Sequence, residues 1–457
     1  MNPSAARLRA NLARHPPSPH YWIAYSGGLD SRVLLRLCAE LARARQDFRC
    51  TAVHVHHGLQ TAAEHWAEQC RTTCEAEGVA FRLLRVDARP RPGQSPEEAA
   101  RAARYQALAA LMGTGDALLT AQHRDDQAET LLLQLLRGAG LPGLAAMPER
   151  AAFGPGFLLR PLLEHGRAEL RGYAEALKLD WVEDPSNRDL GYDRNFIRHR
   201  ILPALAERWP AVNATLSRSA QHCAEAQATL AALARDLCHA ALNPERETLY
   251  VDRLLDYTAA DRRLVLREWI GSQGFRMPSA RVLGQVLDCA LNAHPERSPA
   301  VRWREGEIRR YRNELYLLPP AGPFDSQAVI AWNGPAPLVL PDGNGELIAL
   351  PTDGPGIAPG LWRTAAISVR YRQGGETCRP LGRAGARELK KLFQEAGIPP
   401  WVRERTPLVY MDGRLAAVGK WWICQEFAGD GTGRNIAIEW HALPRPAQAL
   451  PRNPATD

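Results

Sequence analysis

The chain of 457 residues has no apolar run of the roughly 18 residues that a membrane helix needs, and residues 1–20 lack the apolar core of a secretory signal. A cytoplasmic protein without a membrane partner is expected. No C-x-x-C occurs among the nine cysteines, of which Cys70 and Cys74 stand nearest together, so reduced and mostly buried thiols are the expectation. The absence of G-x-x-x-x-G-K-[ST] disfavours a Walker-type kinase or GTPase, and nothing matches the G-x-G-x-x-G of a dinucleotide site.

What is present is ordinary globular composition, with 45% hydrophobic and 23% charged residues, in a chain too long for one core. Two or three domains are expected. The formal net charge of +7 suits a polyanionic partner without requiring one.

Residues 21–25, 48–55, 79–86 and 116–120 read as short apolar strands, separated by helical patterns such as 31–45 and 95–112. That alternation implies an α/β fold with a doubly wound parallel sheet. A further unit follows at 158–163, 169–177 and 180–183. Beyond residue 215 the pattern becomes helical and rich in Ala and Leu, and residues 302–317 read as a basic hairpin in which Trp303 and Tyr311 interleave with arginines. Dense Pro and Gly mark residues 319–360 as turns, edge strands and linker. The expected organisation is a Rossmann-like catalytic domain over 1–212, a mainly helical domain over 213–320, a linker over 321–362, a small mixed α+β domain over 363–445, and a disordered tail over 446–457.

The strongest local signal is Ser26, Gly27, Gly28, Leu29, Asp30 and Ser31, set between the strand YWIAY and the amphipathic helix SRVLLRLCAEL. Two glycines let the backbone bend sharply and approach a ligand, and the helix that follows offers unpaired amides and a positive dipole end to phosphate oxygens. Ser26 and Ser31 add hydroxyls, and the Asp30 carboxylate is of the kind that holds Mg2+. The competing reading is a strand-to-helix turn with Asp or Ser as cap and no ligand.

After the fourth strand comes HRDDQAET, residues 123–130, in which Asp125, Asp126 and Glu129 cluster at the carboxyl end of a parallel strand. Two readings remain compatible. One is a capping box in which Asp126 caps the helix and Glu129 reaches back. The other is a receptor for Mg2+ or for an amine, whose ammonium needs a carboxylate to place it and a lost proton before it attacks.

SGGLDS resembles the PP-loop of the ATP pyrophosphatases, which split ATP into AMP and pyrophosphate. Further stretches narrow the likeness: VHVHHGL from Val53, the Arg104–Tyr105 pair, HRDDQAET, RGAGLPGLAAM from Arg137, LLRPLL from Leu158, EDPSN from Glu183, YDRNFIRHRILP from Tyr192, and the long motif running from Arg379 to Tyr410. Together they resemble the tRNA(Ile)-lysidine synthetase family over nearly the whole chain. The resemblance implies adenylation of O2 of the wobble cytidine in a tRNA(Ile) with a CAU anticodon, then displacement of AMP by L-lysine. It implies ATP at Ser26–Ser31 and Mg2+ at Asp30, with L-lysine at Asp125, Asp126 and Glu129. Arg104, Arg194 and Arg198 would face phosphates or RNA, Arg104 beside the chemistry. A homodimer is one assembly it allows.

His54, His56 and His57 read as a nucleotide-pocket wall or a packed strand end, since an H-x-H-H without matched ligands elsewhere is a weak zinc signal. From Arg379 to Lys420 nine basic residues, among them Arg383, Lys390 and Lys391, stand against four acidic ones, which suits a grip on an RNA backbone as well as a solvated face. Trp401, Trp421 and Trp422 are core or base-stacking residues. The rivals are another PP-loop tRNA enzyme such as a thiolase, which normally uses paired cysteines, and an RNA-binding relative without turnover.

Overall fold

The computed structural model describes residues 3–56, 63–87, 89, 96–291, 299–320, 322–334, 336–429 and 434–441. His57, the end of the VHVHHGL motif and the tail expected over 446–457 lie outside them. Two compact units are present, dividing between Leu233 and Ala234.

In the first unit, α1 (Ala5–Leu12) precedes β1 (Tyr21–Ala24), α2 (Leu29–Ala44), β2 (Cys50–His56), α3 (Ala63–Glu77), β3 (Ala80–Arg85), α4 (Pro96–Leu111) and β4 (Ala117–Leu119). Then come α5 (Arg124–Leu136), α6 (Leu141–Leu144), β5 (Arg150–Phe153), β6 (Gly156–Leu159) and α7 (Arg167–Ala176), followed by α8 (Asp193–Phe196) and α9 (Leu202–Arg208); α10 (Val212–Ala241) begins in this unit and runs past its end at Leu233. The six strands lie in the order β3-β2-β1-β4-β6-β5, all parallel except β5, which turns back along β6. The strand order reverses on either side of β1, and that crevice at the carboxyl ends is where open α/β sheets bind ligands.

Short strands of three to seven residues suffice because both faces are covered. Ile23, Leu34, Leu119 and Leu159 join one core, while Val53, Leu108, Leu118 and Leu158 pack a second on the opposite face. The stretch 180–183 joins no ladder. It crosses the loop after β1 instead, with the Val182 amide donating to the Gly27 carbonyl at 2.9 Å.

The second unit combines helices with more sheet than the Ala/Leu-rich pattern suggests. A five-stranded antiparallel sheet carries Leu242–Asn243, Thr248–Tyr250, Ala300–Trp303, Gly306–Tyr311 and Glu314–Leu318. The expected basic hairpin is its last three strands. Trp269, 1% exposed, anchors the helices against that sheet and donates its indole N–H to the Glu247 carbonyl at 3.0 Å. Further on, Ile367–Arg370, Leu408–Met411 and Arg414–Val418 form the centre of another five-stranded sheet around Phe393, Leu408 and Val418. Trp421 and Trp422 pack on Phe393 at 6.0 and 5.3 Å, and Trp401 lies edge-on between Tyr311 and Tyr316, so all three serve packing.

Among the described residues no helix is long and apolar enough to cross a membrane. All nine cysteines are free, six of them buried.

Candidate active site

The bend that ends β1 is built by glycine. Gly27 holds φ of +85°, a region that costs other residues about 1–2 kcal/mol, and a Cβ there would stand 3.0 Å from Cys70 Sγ on α3. Gly28 then caps α2 without any side-chain bond, leaving the first-turn amides free of a side-chain partner. Ser26 and Ser31 bridge the bend, their hydroxyls 3.1 Å apart, and Ser31 donates to the Gly28 carbonyl at 2.9 Å. The ligand-free capping reading asks for an Asp or Ser cap, and neither is present. Gly27→Ala is expected to weaken ATP binding at least about tenfold and to lower the melting temperature, because the added methyl meets both strain and Cys70. Nucleotide titration and a melt check both.

The bend opens on a cavity of about 700 Å3 lined by seven arginines and four carboxylates, enough positive charge for a polyphosphate. Asp30 projects there from the first turn of α2. Its Oδ2 lies 3.6 Å from His123 Nε2, while its Oδ1 is buried with no hydrogen-bond partner. An orphaned carboxylate oxygen beside a helix N-terminus fits a hard cation that brings water and phosphate oxygens as its remaining ligands. Among the described residues no three His, Cys, Asp or Glu side chains converge as a complete metal shell.

His54 and His56, on the rim of β2, both line this cavity. The His54 Nδ1–H donates to the Tyr25 carbonyl at 2.9 Å, and burial lowers its pKa, so the ring stays neutral with Nε2 unprotonated. His56 Nε2 stands 3.5 Å from Glu64.

The HRDDQAET segment divides its work differently from either sequence reading. His123 is the cap of α5, not Asp126: the Asp126 amide donates to His123 Nδ1 at 3.3 Å, and the His123 amide donates to Asp126 Oδ2 at 3.0 Å. The box is thus displaced by one turn, and Glu129 takes no part in it. Asp125 is not in the cavity lining. Its Oδ2 accepts from the Arg167 amide at the start of α7 and its Oδ1 from Asn213 of α10, at 2.8 and 2.7 Å, so its expected place at the amine is corrected to a brace between helices.

Asp126 and Glu129 do converge. Glu129, 1% exposed, accepts from Arg194 Nε at 2.8 Å and from Arg198 Nε at 2.6 Å, and Asp126 accepts from the Nη2 of both at 2.9 and 3.1 Å. Burial raises the pKa of Asp126, but His123, Arg194 and Arg198 outweigh that and hold it below the usual carboxylate range, ionised. Arg198 sits in a π-helical turn, Ile197–Ile201, of the sort that re-aims side chains at functional sites.

Arg104 reaches the cavity from α4 and has no ion-pair partner among the described residues, beyond a 5.9 Å approach to the Tyr105 ring. Sequence reading passed over Arg101, Arg167 and Arg171, which also line the wall. The signal was there: Arg101 lies three and four residues before Arg104 and Tyr105, and Arg167 four before Arg171, so each set shares a helix face. EDPSN helped to carry the resemblance, but the place of Trp181, Glu183, Asp184 and Asn187 in the cavity wall was not legible, since it depends on the crossing over Gly27.

In the second unit Arg379, Lys390 and Lys391 are exposed, whereas Arg383 and Arg387 share Glu395 at 2.7 and 2.6 Å. Arg403, counted in the basic run, is buried and donates to the Ile398 carbonyl and the Tyr311 hydroxyl.

A glycine bend between a parallel strand and an uncapped helix, opening on a basic crevice, defines the class of PP-loop nucleotide-binding α/β proteins, and the family profile described as PP-loop domain matches residues 1–205. Those described as TilS substrate binding domain and TilS substrate C-terminal domain match residues 249–316 and 367–440. Proteins named tRNA(Ile)-lysidine synthase align along almost the full chain. The one from Methylococcus capsulatus is 51% identical over 442 residues, 96% of this chain and 100% of its own length. That from Coxiella burnetii is 42% identical over 92% of this chain and 93% of its own, and that from Pseudomonas aeruginosa 43% over 91% and 93%. The chain belongs to the tRNA(Ile)-lysidine synthase family. Neither a thiolase nor a non-catalytic RNA-binding relative is favoured.

Proposed function

We propose that this chain is an AMP-forming carbon–nitrogen ligase of the cytoplasm that converts the wobble cytidine of a CAU-anticodon tRNA(Ile) to lysidine, using ATP and L-lysine. The single observation that carries the reading is the uncapped glycine bend with its orphaned Asp30 oxygen, opening on a basic cavity that also holds Asp126.

In the first step O2 of the cytidine attacks the α-phosphorus; the O2–P bond forms and pyrophosphate leaves. Ser26 to Ser31 offer amides and hydroxyls to the departing phosphates, the His54 and His56 edges wall the nucleotide, and Arg104 supplies positive charge where negative charge builds on the phosphate oxygens. Asp30 would hold Mg2+, which when bound neutralises phosphate oxygens. In the second step an amine nitrogen of L-lysine attacks C2, the C2–O2 bond breaks and AMP leaves. Asp126 and Glu129 would hold the ammonium, and one proton must depart before attack.

We assign catalysis to residues 1–212 and RNA contact to 213–320 and 363–445, joined through 321–362. Exposed Arg379, Lys390 and Lys391 suit backbone phosphates, and Arg383 would have to exchange Glu395 for one. Mass analysis of the cytidine after incubation with ATP, L-lysine and unmodified transcript tests this directly: the expected product carries the added mass of lysine less water. An unchanged nucleoside, or one that has gained sulfur, would refute it.

A further inference from the structure

The two carboxylates best placed for an amine are already occupied, by side chains of the same chain. Glu129 rises from α5 next to the fully buried Ala128, and Asp126 is tied to His123 through the capping box, so both carboxylates are fixed. The guanidiniums of Arg194 and Arg198 are the looser partners, keeping 37% and 20% exposure on the cavity side. Two carboxylates facing two guanidiniums form a neutral set. A third cation arriving there gains little attraction and meets like charge.

An ammonium therefore reaches Asp126 and Glu129 only as the arginines leave, and removing them without a replacement partner would strand buried charge. Phosphate is the group that can replace a carboxylate for guanidinium, its two non-bridging oxygens accepting the same two-point contact.

We propose that Arg194 and Arg198 form a counter-ion latch: without RNA they hold Asp126 and Glu129, and backbone phosphates of bound RNA draw them off, opening the carboxylates to the amine substrate. This rests on Asp126 and Glu129 being the amine anchor. The latch makes lysine binding conditional on RNA, and by linkage lysine tightens RNA binding by the same factor. It keeps the nucleophile away from a nucleotide that has no cytidine beside it.

The test is equilibrium dialysis of radiolabelled L-lysine against the full chain, with and without saturating unmodified tRNA(Ile) transcript and without ATP. The transcript is expected to tighten lysine binding at least about tenfold. In Arg198→Gln, lysine without RNA should approach the affinity that the unaltered protein shows with RNA, leaving a coupling under about twofold; Arg194→Gln, at the more exposed position, should do the same and serves if the first variant melts early. Lysine affinity indifferent to RNA in the unaltered protein overturns the latch. So does a loss of lysine affinity in both arginine variants with and without RNA, which is the mark of a plain structural brace. Glu129→Gln is expected to weaken lysine in both states. Intact binding there removes the anchor itself, a failure distinguishable from a failure of coupling.

Discussion

Asp30→Ala is expected to lower tRNA-dependent release of pyrophosphate from ATP by about 10³-fold or more, with tRNA affinity changed less than about twofold. The carboxylate stands in the first turn of α2, where its neighbours are amides and a helix dipole that favour an anion and a phosphate equally. Its Oδ1 makes no bond within the protein, and its Oδ2 is only 3.6 Å from His123. Little folding energy therefore depends on it. A carboxylate beside a phosphate site with an oxygen left over is poised for a cation, and deleting that ligand removes charge neutralisation at the moment a pyrophosphate leaves.

The two readouts separate chemistry from binding. Arg379, Lys390 and Lys391, proposed above for backbone phosphates, are not among the residues that line the Asp30 cavity, so gel-shift or filter-binding titration should barely move. Asp30→Asn keeps the shape and loses the charge, and should be nearly as inactive. A variant that melts normally yet retains more than about a tenth of the pyrophosphate release would show that Asp30 is a cap and not a ligand holder.

The bend after β1 was legible because every part of its signal is local: an apolar strand, two glycines, then an amphipathic helix within about four turns. The doubly wound parallel sheet followed from the same alternation, although its strand order and the antiparallel β5 did not. The site's polar partnerships were not legible, since they join residues far apart in the chain. Asp125 looks like its neighbour Asp126 in sequence, and only Arg167 and Asn213, 42 and 88 residues away, turn it into a brace. Glu129 meets Arg194 and Arg198 across 65 and 69 residues, so an acidic cluster that reads as open is closed. The first two strands of the sheet over residues 242–318 were hidden for a different reason, although its basic hairpin was expected. Its first strands, Leu242–Asn243 and Thr248–Tyr250, are two and three residues long, too short to display a period of two between helices.

Glu77→Gln is expected to destabilise the first unit by about 3–5 kcal/mol, lowering its melting temperature by about 6–20 °C. Glu77 ends α3 and is 5% exposed, and it accepts from Arg32 at 2.8 Å and from Arg36 and Arg43 at 3.1 Å each. Arg32 is itself 7% exposed, with Nε and Nη1 making no bond, so the carboxylate is what offsets a buried cation. Glutamine retains the size and one acceptor but leaves that cation unpaired. Burial pushes the Glu77 pKa up, yet Arg32, Arg43 and Arg36 outweigh it and hold it below the ordinary value of 4.5. A depressed folded pKa means that the stabilisation is fully present above the unfolded value and is lost as pH falls through the folded one. The gap between the unaltered protein and Glu77→Gln should therefore persist at pH 7 and narrow below about pH 4. Because Arg32 directly follows Ser31, the loosened guanidinium also frees the first turn of α2, and ATP affinity should fall with stability. Melts of both proteins at pH 7 and pH 3.5, paired with nucleotide titration, decide it: coincident melts at neutral pH would mean that Arg36 and Arg43 alone hold the helix that faces the cavity.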